Sequence, residues 1–280
     1  MLTFPDIDPI AFNLGPLAVH WYGITYLVAF LLFLALGKYR ARIRPQFGWK
    51  ADEIDDLLLY GVLGVVAGGR IGYILFYGLG DIAQDPLRIF RIWEGGMSFH
   101  GGMLGVFVAL WLYGRRTQRT FFQVSDFVAP LIPPGLFAGR MANFINAELW
   151  GGPTSLPVGM QVACDKAGDL CQRVGTGVDP TMSLPVHPSQ LYEAGLEGVL
   201  LFLILWFYSS KQRPLMAVSG LFLLGYGLFR FAIEFVRMPD AHIGYLAGGW
   251  LTTGMLLTAP MILIGLLFMI IAYSRHRRTA

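Results

Sequence analysis

The chain has 280 residues, 55% hydrophobic and 14% charged, with a formal net charge of +3. Soluble domains carry roughly 25% charged residues, so a soluble globular protein is excluded. The small positive balance does not point to nucleic acid as a partner.

Seven windows are apolar and long enough to cross a bilayer: Leu17–Gly37, Leu57–Phe76, Met97–Tyr113, Phe121–Arg140, Gln190–Tyr208, Met216–Val236 and Gly249–Tyr273. A hydrocarbon core takes about 20 helical residues. Fold expectation: an all-α polytopic bundle of seven transmembrane helices, forming one domain over 1–280. Basic residues cluster after the first, third, fifth and seventh windows (Lys38 to Lys50, Arg115 to Arg119, Lys211 and Arg213, Arg275 to Arg278). By the positive-inside rule the N-terminus lies outside and the C-terminus in the cytoplasm. No basic residue precedes Lys38, so the first span is expected to stay rather than to be cleaved as a signal peptide.

In chain order, Met1–Pro16 is polar and His20-Trp21-Tyr22-Gly23 opens the first span. Tyr22 is either an interfacial anchor or a ligand-facing group. The acidic run Ala51–Asp56 reads as the first turn of helix two, where carboxylates suit the macrodipole. Gly61, Gly64, Gly68 and Gly69 permit close helix packing. Arg70 follows them, and is equally read as a buried ion-pair partner or a substrate contact. Asp81–Gly96 is too short to span and too apolar for a free loop, so it is expected to form an outer interfacial helix. His100 then opens span three between paired glycines, an unusual place for an ionisable ring.

Span four carries Pro130, Pro133 and Pro134, a predicted kink. It runs into GRMANFINAELWG, where Arg140, Asn143, Asn146 and Glu148 crowd into nine residues. Polar groups at membrane depth are costly and mark function or satisfy neighbouring helices. The 152–186 stretch is a long outer loop or lid between spans four and five. It holds both cysteines, Cys164 and Cys171, a possible disulfide in an oxidising compartment. After His187-Pro188-Ser189-Gln190, the residues Gln190, Glu193 and Glu197 share one helical face that should point into the bundle. Span six carries Tyr226, Arg230, Glu234 and Arg237 as one stripe. An Arg230–Glu234 pair and a structural Glu234–Arg237 pair are expected, with Arg230 keeping spare donors.

No HExxH or Gly-x-Ser-x-Gly pattern is present, so no metal and no serine elbow are expected. Arginines with a histidine and polar neighbours at the outer surface suit an anionic lipid headgroup and a proton-transfer partner. A lipid or anion transporter would use the same arginines without chemistry. A lipid enzyme of other specificity and a membrane scaffold are the remaining readings.

Six motifs add a resemblance over nearly the whole chain: HWYG at His20, GGRIGY at Gly68, GGMSFHGG at Gly95, GRMANFINAELWG at Gly139, HPSQLYE at His187 and GYGLFRFAIEFVR at Gly225. In this order they resemble the bacterial prolipoprotein diacylglyceryl transferases. That family usually has glycine where this chain has Ala142, and often at Ala147. The resemblance implies an enzyme of the inner membrane with its active site toward the outer side. It implies transfer of a diacylglyceryl group from phosphatidylglycerol to the lipobox cysteine thiol of a preprolipoprotein. A thioether forms, glycerol 1-phosphate leaves, and no metal or other cofactor takes part. The implied catalytic residues are His100, Arg140, Arg230 and Tyr22. The implied substrate-binding set is Asn143, Asn146, Glu148, Gly151, Tyr226, Glu234, Arg237 and His187, to which the residue reading adds Arg70 as a candidate substrate contact.

Overall fold

The computed structural model describes residues 2–78, 85–91, 93, 95–239 and 244–279. The chain packs as two compact units, Met1–Phe33 with Ala129–Ala280, and Leu34–Val128. Helices dominate both. They are α1 (Trp21–Ile43), α2 (Glu53–Tyr73), α3 (Phe99–Arg116), α4 (Phe121–Val128), α5 (Pro133–Ile145), α6 (Leu170–Val174), α7 (Ser189–Tyr208), α8 (Ala217–Ile233) and α9 (Thr253–Thr279).

Among the described residues, four helical runs are long and apolar enough to cross a membrane: Trp21–Ile43, Glu53–Gly78, Ser189–Tyr208 and Thr253–Arg277. A fifth results if Phe121–Leu131 and Pro133–Ile145, bent by 45°, count as one span. The bend falls at the expected prolines, where a missing N–H and a ring clash break the ladder. This is a multi-pass helical membrane protein. Large apolar side chains such as Leu27, Phe30 and Leu31 are exposed along α1, as lipid-facing positions must be when the backbone bonds only within its own helix. The first helix begins at Trp21 rather than Leu17. Leu17–His20 instead forms β3, paired antiparallel with β2 (Ile10–Leu14).

In the unit Leu34–Val128, α2 and α3 meet through glycines. A Cβ on Gly68 would lie 2.7 Å from Gly105 Cα, so the two backbones touch with no room for a side chain. The acidic first turn of α2 is answered by cations: Glu53 bonds Arg119 at 2.7 Å and Asp55 bonds Lys38 at 2.7 Å. Trp49 stacks on Phe127 at 4.0 Å beneath the Arg119 guanidinium. Of the interfacial helix expected over Asp81–Gly96, the described residues hold one short 3-10 helix, Pro86–Phe90, with Leu87, Phe90 and Trp93 exposed. Residues 81–84, 92 and 94 lie outside the described residues.

In the other unit, α7 packs on α5, and α8 packs on α9. The 152–186 stretch is no bare loop. Its Met160, Val162, Ala167, Leu170 and Val186 join Phe4, Phe144, Ala147 and Trp150 in one buried cluster. Leu2–Thr3 (β1) pairs in parallel with Met160–Gln161 (β4), and a disulfide joins Cys164 to Cys171.

Replacing Gly68 by valine should cost about 1–3 kcal/mol by overpacking. Gly61→Val, where nothing lies within 4 Å, should change little. Thermal melting of both variants in detergent checks the contrast.

Candidate functional site

The centre of the first unit is a buried cluster of charges. Its acids come from α7. Glu193 and Glu197 are 1% and 0% exposed, on the face that their spacing predicts to be internal. Its bases come from α5, from α8 and from the chain just beyond α8. Arg140 Nε lies 2.8 Å from Glu193 Oε2, without the alignment of a hydrogen bond, and Arg140 Nη2 lies 3.4 Å from Glu197 Oε2. Arg230 bonds Glu193 Oε1 through Nη1 and Glu234 Oε1 through Nη2, the latter at 2.6 Å. Arg237 Nη1 bonds Glu193 Oε1 at 2.9 Å. Burying two carboxyl groups is tolerable only with cations this close.

Around Glu197 the helix widens into a π-turn, Ala194–Leu200. Such turns are frequent at functional sites. Glu234 is held from a second side by the Thr252 hydroxyl. Gly254 leaves the room it needs: a Cβ there would lie 2.6 Å from Glu234 Oε2. Because α8 ends at Ile233, the chain turns before Arg237. The Arg230–Glu234 pair forms as expected, whereas Arg237 reaches Glu193 instead of Glu234. Lying beyond the end of α8, Arg237 no longer follows the helical stripe that would set it on Glu234.

Next to this cluster, GRMANFINAELWG ends α5 in a strained turn. Ala147 and Leu149 have φ of 54° and 61°, a region that costs a residue with a Cβ on the order of 1–3 kcal/mol. Three carbonyls of the turn are held by side-chain donors. Trp150 Nε1 donates to Ala147 O at 2.8 Å, Gln190 Nε2 to Glu148 O, and Ser189 Oγ to Leu149 O at 2.6 Å. Ser189 and Gln190 are 0% exposed. Asn143 donates to Glu148 Oε2 at 3.4 Å. The Asn146 oxygen is buried and has no hydrogen-bond partner among the described residues.

Gly151 bridges the turn to Arg237, and its amide bonds His187 O at 2.9 Å. A Cβ on Gly151 would lie 2.7 Å from His187 Cβ, so the site needs glycine. Partial burial pushes the His187 imidazole below its ordinary pKa. Its Nδ1 lies 3.2 Å from the Tyr192 hydroxyl. A cavity of about 390 Å³ opens beside the turn, lined by residues that include Asn146, Glu148, Trp150, Lys166, Arg173 and Arg237.

Of the sequence-derived set, Arg140, Arg230, Glu234 and Arg237 come together around Glu193. Asn143, Asn146, Glu148, Gly151 and His187 build the adjoining turn. Tyr226 sits one helical turn before Arg230, stacked on Phe222. Tyr22 lies near the start of α1 against Tyr26, with ring centroids 5.3 Å apart. Arg70 and His100 belong to the unit Leu34–Val128. There Arg70 Nε donates to Ile89 O at 3.2 Å, and its Nη atoms donate to Arg88 O, Gly95 O and Gly96 O. These carbonyl bonds hold the guanidinium in place among the described residues. His100 is exposed in the first turn of α3.

The family model described as "Prolipoprotein diacylglyceryl transferase" matches residues 9–271. The chain belongs to the prolipoprotein diacylglyceryl transferase family. It is 56% identical over 266 residues to a protein of Nitratidesulfovibrio vulgaris named phosphatidylglycerol–prolipoprotein diacylglyceryl transferase, covering 95% of each chain. Proteins of the same name in Oleidesulfovibrio alaskensis and Coxiella burnetii are 51% and 52% identical. The first alignment covers 100% of this chain and 98% of the relative, the second 99% and 100%. A member of this family is a transferase.

Sequence reasoning placed Glu193 and Glu197 inside the bundle but did not assign them to the site. The signal was available, since two carboxylates on one apolar helix require cations nearby. Ser189, Gln190, Thr252 and Gly254 were not singled out as site residues, because their partners are backbone groups or a carboxylate distant in sequence.

Ser189→Ala should orphan the Leu149 carbonyl and destabilise the protein by about 1–3 kcal/mol. Gly151→Ala should cost at least as much and reduce turnover. Melting in detergent, with an activity assay on the same samples, checks both.

Proposed function

We propose that this transferase moves the diacylglyceryl group of phosphatidylglycerol onto the thiol of the lipobox cysteine of a preprolipoprotein. A C–S thioether bond forms, and the bond between the glyceryl carbon and the phosphate oxygen breaks. The thiol proton passes to a base, and glycerol 1-phosphate leaves with the bonding electrons. Family membership over almost the full chain carries the reading. The convergence of Arg140, Arg230 and Arg237 gives it a chemical basis, since guanidinium forks match phosphate oxygens.

In this reading Arg140 and Arg230 hold the phosphate and stabilise the charge that grows on it as the bond breaks. Two terminal nitrogens of Arg230 bond carboxylates, yet each carries a second hydrogen. Asn143, Asn146, Glu148, Gly151, Tyr226, Arg237 and His187 shape and orient the headgroup site, and Glu234 fixes Arg230. Tyr22 lines the site. Arg70 anchors the segment leading to His100 by holding the Gly95 and Gly96 carbonyls. His100 takes the thiol proton through its imidazole, acting as the general base.

We further propose seven transmembrane helices in one domain over 1–280. The N-terminus lies outside and the C-terminus in the cytoplasm of the bacterial inner membrane. The site and the 152–186 segment face the outer side. The transporter alternative is not favoured, because the relatives are named as transferases.

Purified protein incubated with phosphatidylglycerol and a lipobox peptide should add one diacylglyceryl mass to the peptide. A Cys→Ser peptide should gain none. No mass gain on the cysteine peptide would overturn the reading. His100→Gln should lose turnover and keep phosphatidylglycerol binding; full turnover removes His100 as the base. Arg230→Lys should lower turnover by at least about tenfold, since a point charge does not replace a fork.

A further inference from the structure

Glu193 is buried to 1% exposure, yet it is not one half of a pair. Its two oxygens meet three guanidinium groups. Oε2 lies 2.8 Å from Arg140, while Oε1 contacts Arg230 and lies 2.9 Å from Arg237. Those arginines come from α5, from α8 and from the chain beyond it. One carboxylate on α7 therefore ties three segments that have no other common anchor of this kind among the described residues.

Glu197 is a weaker partner, 3.4 Å from Arg140 and 4.0 Å from Arg230. Glu234 contacts Arg230 from the far side. The three arginines thus face three carboxylates, and the cluster is formally neutral. An entering phosphodiester brings a further negative charge. It must use the N–H groups left over, which include Arg140 Nη1 and Arg237 Nε and Nη2, or displace a carboxylate.

We propose that Glu193 is an internal anion, a positioning residue that aims Arg140, Arg230 and Arg237 as one fan and competes with the substrate phosphate for them. The inference rests on the transferase reading and adds the device that sets the arginines' geometry. Glutamine has nearly the same volume, and keeps one oxygen acceptor. It removes the competing charge and turns an amide donor toward a guanidinium. Affinity for the anionic headgroup then rises or holds, while the forks lose their alignment. A displacement of about 1 Å in such a group costs on the order of a hundredfold in rate.

The experiment uses the full-length protein in detergent, titrated with short-chain phosphatidylglycerol and assayed with the lipobox peptide. Glu193→Gln should bind phosphatidylglycerol at least as tightly as the unmodified protein, with kcat lower by about a hundredfold. A merely structural role would instead lower binding and turnover together, in proportion to the folded fraction. Glu193→Asp keeps the charge and shortens the reach. It should bind like the unmodified protein and turn over more slowly, regaining part of the loss.

Near-native kcat in Glu193→Gln overturns the inference, as does a parallel loss of binding and turnover in folded material. If Glu193→Gln does not fold, Glu193→Asp decides, and native kcat there overturns it. An unmodified protein that neither binds phosphatidylglycerol nor modifies the peptide overturns the transferase reading itself. An active one with an indifferent Glu193 overturns only this inference.

Discussion

A carboxylate inside a membrane helix has no water to turn to, and the first unit is arranged to answer that demand. Glu193 and Glu197 sit on α7 within an otherwise apolar run. Each ion removed from water costs several kcal/mol unless cations and donors replace the lost hydration. The answer comes from α5 and α8, which must pack where their arginines reach α7. The same demand repeats one layer away at Glu234, where Thr252, just before α9, supplies a hydroxyl and Gly254 in the first turn of α9 yields space. Helix packing and site geometry are therefore one problem with one solution.

The strained turn after α5 is the second fixed point. Strain at Ala147 and Leu149 persists only because neighbours over-determine it. Ser189 and Gln190 supply that determination from the first turn of α7, four and three residues before Glu193. The helix that carries the buried acids also clamps the loop that carries Asn146 and Glu148. A shift of α7 along its axis would disturb both at once.

Much of this was legible in sequence. The stripe Tyr226, Arg230, Glu234 gave the correct face, and three prolines in span four gave the bend. What escaped had physical reasons. Periodicity gives direction but not partner, so Arg237 was matched with the neighbour on its own helix and not with Glu193. Arg70 bonds carbonyls, which every residue possesses and no side-chain pattern reveals. The left-handed residues Ala147 and Leu149 carry no glycine to mark them. Leu17–His20 is apolar enough to extend a helix, but β pairing across the Gly15 turn claims it first. The 152–186 stretch looked like a loop by composition because its buried residues are spread among glycines and prolines, with no helical or strand period.

The parallel pairing of Leu2–Thr3 with Met160–Gln161 imposes an order on biosynthesis. The first strand is made well before its partner, which emerges more than half a chain later, on the order of ten seconds at ribosomal speed. Until then the N-terminal strand has an open edge, and Phe4 lacks the Phe144 and Trp150 rings it packs against in the finished protein. The cluster packed beside the turn after α5 is therefore completed late, after α5 and the cysteine-bearing segment have both been delivered. The site matures from the middle of the chain back to its beginning, and a bulky fusion at the first residues would meet it at its last step.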